Sequence, residues 1–290
     1  MPGGEHLIQS RMLRAVLGLI CAAALIPAQV TRKEALNVDG PRPLAKAAEM
    51  LEQRYGWAIN YEDPPWDYAG DVEDHTDPNW RLQHPGVRHR SLTPKPGRIY
   101  LEYEVDDASG RPASPLTVLK ALVDAHAAQG NPGIFRVISE AGYFSILPAK
   151  VRNAQGHWVE PFRILDTPVS FPAQPRSIGE AIKLLQQQIQ QRTGRDLWPG
   201  GIGANYMILG RTQAGANNEP AWIALRRIIS EPAFGQSAAR RMVWHLYYQQ
   251  GWDWALNLHA APAEQAAPAF IAPPPAARMG SGPSVATQKL

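Results

Sequence analysis

Apolar residues along the chain recur in two similar runs, each with the spacing of an amphipathic helix. Arg42–Leu51 opens the first run and Arg176–Leu185 opens the second, and each run ends at a glycine, Gly56 or Gly194. The predicted inner faces carry Leu44, Ala47, Ala48, Leu51 and Tyr55 in the first run, and Ile178, Ala181, Ile182, Leu185 and Ile189 in the second. This match predicts that one small unit occurs twice in the chain.

Short apolar and alternating runs around each helix predict strands, a second helix and a closing hairpin. In the first half these are strands at Ala35–Val38, Trp57–Tyr61 and Arg98–Val105, a helix after Ser114, and a hairpin of Phe135–Ile138 with Tyr143–Leu147. In the second half they are strands at Ile164–Phe171 and Tyr206–Leu209, a helix beginning at Pro220, and a hairpin of Met242–Tyr248 with Trp252–Leu258. We therefore predict an α+β fold of two tandem strand–helix–strand–strand–helix–hairpin units, each with a small mixed sheet packed by two helices.

The two units are flanked by segments of different character. Residues 1–28 have the pattern of a signal peptide, 29–150 and 151–259 hold the two units, and 260–290 form an Ala/Pro-rich tail. Within the first unit, residues 64–97 form a long polar loop that is rich in Pro, Asp, His and Trp. The tail has too few apolar residues to offset its ordering entropy, so we predict that it is disordered.

The N-terminal pattern predicts export. An apolar run, residues 15–26, follows Arg11 and Arg14 and is short for a bilayer span. Ala28 offers a cleavage site, and Met12 is an alternative start. An uncleaved N-terminal anchor is the alternative to cleavage. We expect a periplasmic or secreted protein with no stable membrane span after the signal is removed.

Composition narrows the class of protein. The only cysteine, Cys21, lies inside the apolar run, so cleavage leaves a mature chain without disulfides, thiol nucleophiles or cysteine metal ligands. The 290 residues carry a net charge of +3, with 44% hydrophobic and 19% charged residues, as in an ordinary globular protein. Beyond the N-terminus no basic run is longer than the pair Arg240–Arg241, so we expect no nucleic-acid binding by counterion release.

Val169–Pro175, leading into Ile178–Ile182, resembles the start of the short N-terminal (STN-type) domain of secretins and TonB-dependent receptors. That family typically opens with a strand, an Ile-Pro-Ala-Gln-like turn and a helix reading Leu-x-x-Ala-Leu. Leu36–Tyr61 has the same order, including the glycine that ends the helix. The loop at 64–97 and the closing hairpins depart from the family pattern. The resemblance covers about half of each unit, and it implies a periplasmic interaction module without an active site.

Candidate chemistry concentrates first in the polar loop. Its carboxylates and imidazoles belong to Asp67, Asp71, Glu73, Asp74, His75, Asp77, His84 and His89. Such groups bind divalent metals or transfer protons, but the loop has neither the His-x-x-x-His spacing of a helical metal site nor the glycine and acid spacing of a calcium loop. We interpret it as a solvated loop without a metal or cofactor.

The last hairpin is a second candidate because it is rich in aromatic residues. Its predicted apolar face carries Trp252, Trp254, Leu256 and Leu258, with Trp244 and Leu246 beside them. Exposed indoles stack on sugar rings, whereas alternation with polar residues is typical of a sheet that is buried on one side. We interpret these side chains as core that packs against the helix containing Trp222.

His126, His245 and His259 lie on or beside apolar faces, where a lone histidine is usually a hydrogen-bonded structural residue. Gly200–Gly203 is glycine-rich, but no helix is predicted directly after it, so we expect no phosphate cradle.

The sequence therefore identifies no catalytic, cofactor-binding or metal residue. We expect a non-enzymatic interaction module for a protein or another cell-envelope component. The open alternatives are a cell-wall or glycan-acting enzyme that uses the loop, and a glycan-binding module that uses the tryptophans.

Overall fold

A computed structural model describes residues 30–84, 91–230, 241–250 and 253–262 of the chain. Its helices are α1 (Pro43–Tyr55), α2 (Pro78–Gln83), α3 (Pro115–Ala128), α4 (Ile178–Thr193), α5 (Ala204–Leu209) and α6 (Ala221–Ser230), with 3₁₀ turns at Ala69–Asp71 and Ile164–Asp166. In the described part of the chain, no helix is long and apolar enough to cross a membrane. The predicted signal segment, and the predicted tail beyond residue 262, lie outside the described residues.

The strands range from two to ten residues in length. They are β1 (Thr31–Gly40), β2 (Ile59–Glu62), β3 (Val72–Asp74), β4 (Leu92–Pro94), β5 (Gly97–Asp106), β6 (Ile134–Glu140), β7 (Tyr143–Arg152), β8 (Trp158–Val159), β9 (Pro168–Phe171), β10 (Arg176–Ser177), β11 (Leu197–Ile202), β12 (Arg211–Thr212), β13 (Ala216–Pro220), β14 (Met242–Gln249) and β15 (Asp253–Ala260).

The largest sheet has the strand order β11–β15–β14–β2–β7–β6, with β8 paired to the end of β7. β6 with β7 and β14 with β15 are antiparallel hairpins, whereas β2 and β7, and β11 and β15, are parallel neighbours. β14 pairs in parallel with β2, with His245 opposite Tyr61 and Leu246 opposite Glu62. Strands of both predicted units therefore belong to one sheet.

The two halves have the same order of main elements and the same strand pairings. The first half contains β1, α1, β2, β5, α3, β6 and β7, and the second contains β9, α4, β11, β13, α6, β14 and β15. β1 pairs antiparallel with β5 as β9 does with β13, and the order β2–β7–β6 matches β11–β15–β14. The predicted α+β class is confirmed, and the order of elements matches the prediction except at Tyr206–Leu209.

The helices of the two halves pack on opposite faces of the shared sheet. Successive side chains of a strand point to opposite faces. On β14, His245 contacts Glu49 of α1, whereas Trp244 lines a pocket with Trp222 of α6. α3 lies on the α1 side, and α4 packs beside α6. Each face of the sheet therefore buries apolar side chains under helices from one half of the chain.

Local signals explain why α1 and α4 could be predicted closely. α1 begins at Pro43 and is followed by Gly56, whose φ of 69° is left-handed and favours glycine. α4 begins with a reciprocal capping box between Ser177 and Glu180 and is followed by Gly194 at φ 67°. These caps satisfy backbone groups at the helix ends without help from the rest of the fold.

The structure differs from the prediction at Tyr206–Leu209, which belongs to helix α5 rather than to a strand. β11 is instead the strand that follows α4, and it pairs with β15. A short apolar run does not distinguish a strand from a helix by its periodicity alone. Here Tyr206 is buried, whereas Ile208 and Leu209 are 65% and 54% exposed, so only one side of the run reaches the core.

Residues 64–97, predicted as a polar loop, contain more regular structure than expected. β3 and β4 form a two-stranded antiparallel pair, and α2 lies between them along the chain. Asp77 caps α2 by accepting a hydrogen bond from the backbone N–H of Asn79 at 2.9 Å. Residues 85–90 of this segment lie outside the described residues.

Candidate functional site: a glutamate–histidine cluster between the two halves

Two glutamates and two histidines meet where α1 packs against the last hairpin. Within the described ranges, Glu52, His245 and His259 are the one group of His, Cys, Asp and Glu side chains whose possible ligand atoms all lie within 4.8 Å of one another. Glu52 lies on α1, His245 on β14 and His259 on β15. Glu49 lies three residues before Glu52 and so shares its helix face. The cluster joins a helix of the first half to a hairpin of the second.

Strand geometry brings the two histidines together. In the antiparallel pairing of β14 with β15, Val243 lies opposite His259 and His245 lies opposite Asn257. His245 and His259 are therefore diagonal neighbours on the same face of the hairpin. Their rings meet edge to face, with centroids 4.7 Å apart.

The carboxylate of Glu52 contacts both imidazoles. Its Oε2 lies 2.9 Å from Nε2 of His259, and its Oε1 lies 3.6 Å from Nε2 of His245. Oε1 also accepts a hydrogen bond from the backbone N–H of Ile59 at 3.2 Å. The backbone of β2 thus fixes the carboxylate in position between the histidines.

The far side of the His245 ring is also surrounded by polar atoms. Nδ1 lies 3.5 Å from Oε1 of Glu49 and 3.3 Å from the hydroxyl oxygen of Tyr247. Tyr247 donates its own hydrogen bond to Oε1 of Glu49 at 3.0 Å. Nε2 lies 3.3 Å from the carbonyl oxygen of Ile59. Both ring nitrogens therefore have partners that set the orientation of the imidazole.

The cluster is buried at its centre and reaches solvent on one side. The side chains of His245 and Glu52 are 2% and 3% exposed, whereas that of His259 is 38% exposed. A charge at the centre is removed from water, so it depends on its protein partners for stabilisation. His259 therefore forms the solvent-facing side of the cluster.

Electrostatics favour a positive charge on His245. Burial by itself lowers its pKa, but hydrogen bonding to Glu49 and Glu52 and their negative charges raise the pKa of His245 to about 9. Burial raises the pKa of Glu52, but its contacts with the two histidines outweigh that effect and lower it. Hydrogen bonding to His245 lowers the pKa of Glu49. At neutral pH the cluster therefore holds a cationic His245 between two carboxylates.

A second ionic group adjoins the cluster at the β2–β14 junction. Arg42 Nε donates to Oδ2 of Asp63 at 2.5 Å, and Tyr61 donates to Oδ1 of Asp63 at 2.7 Å. The Arg42 guanidinium also lies over the ring of Tyr247, 5.2 Å from its centroid. Arg42 has a left-handed backbone, φ 54° and ψ 52°, which is uncommon for a residue other than glycine. Polar contacts therefore continue from the cluster along this junction.

The acidic and histidine residues of the 64–97 segment do not form one site in the described structure. Asp71 is buried and pairs with Arg152 at 2.9 Å, and Asp74 pairs with Arg81. The exposed residues of the set are Asp67, Glu73, Asp74, His75, Asp77 and His84. His89 lies outside the described residues. These groups make local contacts, so the described part of the segment offers no converging set of ligands.

The aromatic residues of the last hairpin agree with the interpretation as core. Trp244 and Trp254 are 4% and 1% exposed and belong to the main apolar cluster. Trp222 is partly buried against that cluster. Trp252 lies outside the described residues. The described tryptophans of this hairpin are therefore not available for stacking on a sugar.

The glycine-rich segment differs from the prediction. α5 begins at Ala204, directly after Gly203, whereas no helix was expected there. Gly200 and Gly201 belong to β11, and Asn257 of β15 accepts a hydrogen bond from the N–H of Gly201 at 2.5 Å. These glycines allow close packing of two strands, since a Cβ at Gly200 would lie 3.0 Å from the carbonyl oxygen of Leu256.

Sequence reasoning missed the contribution of the glutamates. His126 fits the interpretation of a lone core histidine, but His245 and His259 lie beside each other and beside Glu49 and Glu52. The available signal was the position of Glu52, four residues after Ala48 on the predicted inner face of α1. A glutamate on an inner face needs a buried partner.

No family model, curated protein or solved structure matches the chain. The function is therefore argued from the geometry. A buried carboxylate between two imidazoles can hold a proton or a divalent cation. Because its members come from both halves, an occupant held by all of them would link the two halves.

Proposed function

We propose that the chain is an exported interaction module, built from two copies of one STN-like unit, that binds an extended segment of a partner protein in the cell envelope. The observation that carries the proposal is the pairing of β14 with β2. In that pairing, a strand of one half extends the sheet of the other half. The molecule therefore already contains one case of strand addition to a sheet edge, which is how we propose that the partner binds.

The identical strand order of the halves supports the duplication. In each half the sheet runs from the strand after the first helix to the last strand and then to the first strand of the hairpin. β14 and β6 are therefore counterparts, as are β2 and β11. Since β14 pairs with β2 inside the molecule, β6 and β11 are the equivalent edges at the two ends of the sheet.

β6 is the better of these edges for binding a partner. Among the described residues it pairs with β7 alone, so its outer edge presents backbone N–H and C=O groups to which an extended segment can add as a strand. β11 contains Pro199, which has no N–H, and its pairing shifts register between Pro199 and Ile202. A second copy that repeated the internal β14–β2 pairing would have to place its β11 beside β6, so we favour another protein over self-association of that kind.

A small pocket on the α6 face of the sheet, which reaches from β14 to the edge strand β6, favours an apolar anchor residue in the partner. It has a volume of about 140 Å³ and is lined by Ile138, Tyr143, Leu147, Trp222 and Trp244, among others. At the same site Arg226 of α6 pairs with Glu140 of β6 at 3.1 Å. Strand addition with one side chain in an adjacent pocket is a common mode of peptide recognition.

A photo-crosslinking amino acid at position 138 tests this proposal in cells. Ile138 is 41% exposed on β6, and Ile208, at 65% exposure on α5, is the matched control. We expect position 138, and not 208, to form an adduct with another protein. Purified Ile138→Lys protein should bind that partner at least tenfold more weakly than Ile208→Lys. Adducts at both positions, adducts of the chain with itself alone, or equal binding by both variants would contradict the proposal.

Export is tested separately. The basic and apolar pattern of residues 11–28 supports cleavage of a signal near Ala28. We expect mass spectrometry of the envelope or secreted fraction to show a mature N-terminus near Gln29. Recovery of the intact chain from the cytosol would contradict export, while leaving the binding edge to its own test.

A further inference from the structure

The Glu52–His245–His259 cluster has the donor set of a transition-metal site. We propose that these three side chains bind one divalent metal ion of the Zn²⁺ type between α1 and the β14–β15 hairpin. The proposal does not depend on the partner-binding function. It rests on the ligand atoms, on the groups behind them and on the access from solvent.

The possible ligand atoms of the three side chains all lie within 4.8 Å of one another. With Zn–N and Zn–O bonds of about 2.0–2.1 Å, tetrahedral ligands lie roughly 3.3 Å from one another. Oε2 of Glu52 lies 2.9 Å from Nε2 of His259, and Oε1 of Glu52 lies 3.6 Å from Nε2 of His245. Side-chain movements that close the three ligand atoms from within 4.8 Å to the tetrahedral separation would let one ion bind all three.

The types of ligand select the kind of metal. Imidazole nitrogen suits Zn²⁺ and its transition-metal neighbours, whereas Ca²⁺ and Mg²⁺ prefer sites made of oxygen alone. Two histidines with one glutamate form a set that Zn²⁺ occupies in proteins, with a fourth position left for water or another ligand. The cluster therefore predicts Zn²⁺ binding rather than Ca²⁺ or Mg²⁺ binding.

Groups behind the ligands are arranged as in metal sites. An ion that binds Nε2 of His245 displaces the proton that this nitrogen carries at neutral pH, and the proton leaves to solvent. The remaining Nδ1–H then faces Glu49 Oε1 at 3.5 Å and the Tyr247 oxygen at 3.3 Å. A carboxylate behind a ligating histidine fixes its tautomer and orientation. The N–H of Ile59 holds the Glu52 carboxylate in the same way, at 3.2 Å.

Access and connectivity give the ion a structural role. His259 is 38% exposed, so an ion reaches the site from that side and a fourth ligand can come from water. Glu52 and His259 are 207 positions apart in the chain. An ion held by both closes a long-range link between the halves, so its binding free energy adds to the stability of their contact.

Zn²⁺ titration of the full chain, without a histidine tag, tests the proposal by calorimetry. The variants are His259→Gln, which changes a partly exposed ligand, and Glu52→Gln, which keeps the shape of the side chain. His157→Gln, at an exposed histidine between β7 and β8, is the matched control. Circular dichroism verifies that each protein is folded. Visible absorption of the Co²⁺-loaded protein reports the coordination of the ion independently of affinity.

We expect one tightly bound Zn²⁺ per wild-type chain. His259→Gln and Glu52→Gln should each weaken binding at least tenfold, and His157→Gln should leave it unchanged. Co²⁺ should give the strong bands of a four-coordinate site, and His259→Gln should abolish them. Absence of stoichiometric binding, unchanged affinity in His259→Gln, or equal loss in His157→Gln would overturn the proposal. If Glu52→Gln does not fold, His259→Gln alone decides.

Discussion

Two histidines of this protein are almost equally buried but lie in opposite electrostatic environments. His126 is 3% exposed and His245 is 1% exposed. Burial lowers the pKa of His126 to about 4. Burial also acts to lower the pKa of His245, but Glu49 and Glu52 raise it to about 9. Burial is therefore common to both histidines, and charged partners account for the difference.

The comparison shows how a polar site differs from a polar residue in a core. His126 packs edge-on against Phe135, with ring centroids 5.2 Å apart, and its Nδ1 has no hydrogen-bond partner among the described residues. It therefore behaves as a neutral part of the apolar core. His245 has carboxylates on two sides, so the cluster stabilises a charge that the core would exclude.

The largest expected effect is the difference between His245→Leu and His126→Leu. Removing the buried cation leaves Glu49 and Glu52 without their main partner, which should lower the free energy of unfolding by about 3–5 kcal/mol. The same change at His126 replaces a neutral imidazole by an apolar group of similar size and should change stability by less than about 1.5 kcal/mol. Urea unfolding at pH 7 with a chelator present measures both. Equal effects would contradict the distinction.

The pH dependence of stability should have opposite signs at the two sites. A buried histidine with a lowered pKa resists protonation, so His126 should reduce stability as pH falls from about 6.5 to 4. A histidine with a raised pKa stabilises the fold while it is protonated, so His245 should lose its contribution as pH rises from about 6.5 to 9. Over its full pH range, each histidine should change the free energy of unfolding by an amount on the order of 3 kcal/mol.

The leucine variants also show which histidine causes the acidic change in stability and which causes the alkaline change. In metal-free protein, His126→Leu should flatten the acidic side relative to wild type, and His245→Leu should flatten the alkaline side. Urea midpoints measured at several pH values provide the comparison. If His245→Leu keeps the alkaline loss of wild type, the charge is not on His245.

The smallest expected effect concerns Tyr247. Its hydroxyl donates to Glu49 at 3.0 Å within the cluster, whereas exposed Tyr100 donates to Glu102 at 2.6 Å on β5. Tyr247→Phe should destabilise by about 1 kcal/mol, because it removes a hydrogen bond to a partly buried charge. Tyr100→Phe should remain within about 0.5 kcal/mol, as exposed substitutions usually do. An equal change in the thermal midpoints of both variants would show that the environment of Tyr247 is unimportant.

The α+β class and the order of main elements could be predicted because their signals are local. α1 and α4 carry apolar stripes and caps within their own sequences, and Pro115 marks the start of α3. The short run at Tyr206–Leu209 could not be assigned in this way, because its conformation depends on which side chains reach the core. Caps and stripes also do not specify which strands pair across the two halves.

The glutamate–histidine cluster could not be predicted for a different reason. Within its own helix or strand, each member looks like a common surface or core residue. Glu52 lies on a helix, and His259 lies near the end of a strand. Their meeting depends on β14 lying beside β2, a pairing between strands that are far apart in sequence. The inner-face position of Glu52 was the signal within the sequence, but it indicates only that a partner exists.

Titration of the histidine rings by NMR tests the central claim most directly. The ring nitrogens of ¹⁵N-labelled, metal-free protein report the protonation of each imidazole, and His126→Leu assigns the signal of His126. We expect a pKa of about 4 for His126, where burial acts alone, and about 9 for His245, where Glu49 and Glu52 outweigh burial. Two values close to the ordinary histidine pKa of about 6.5 would contradict the account.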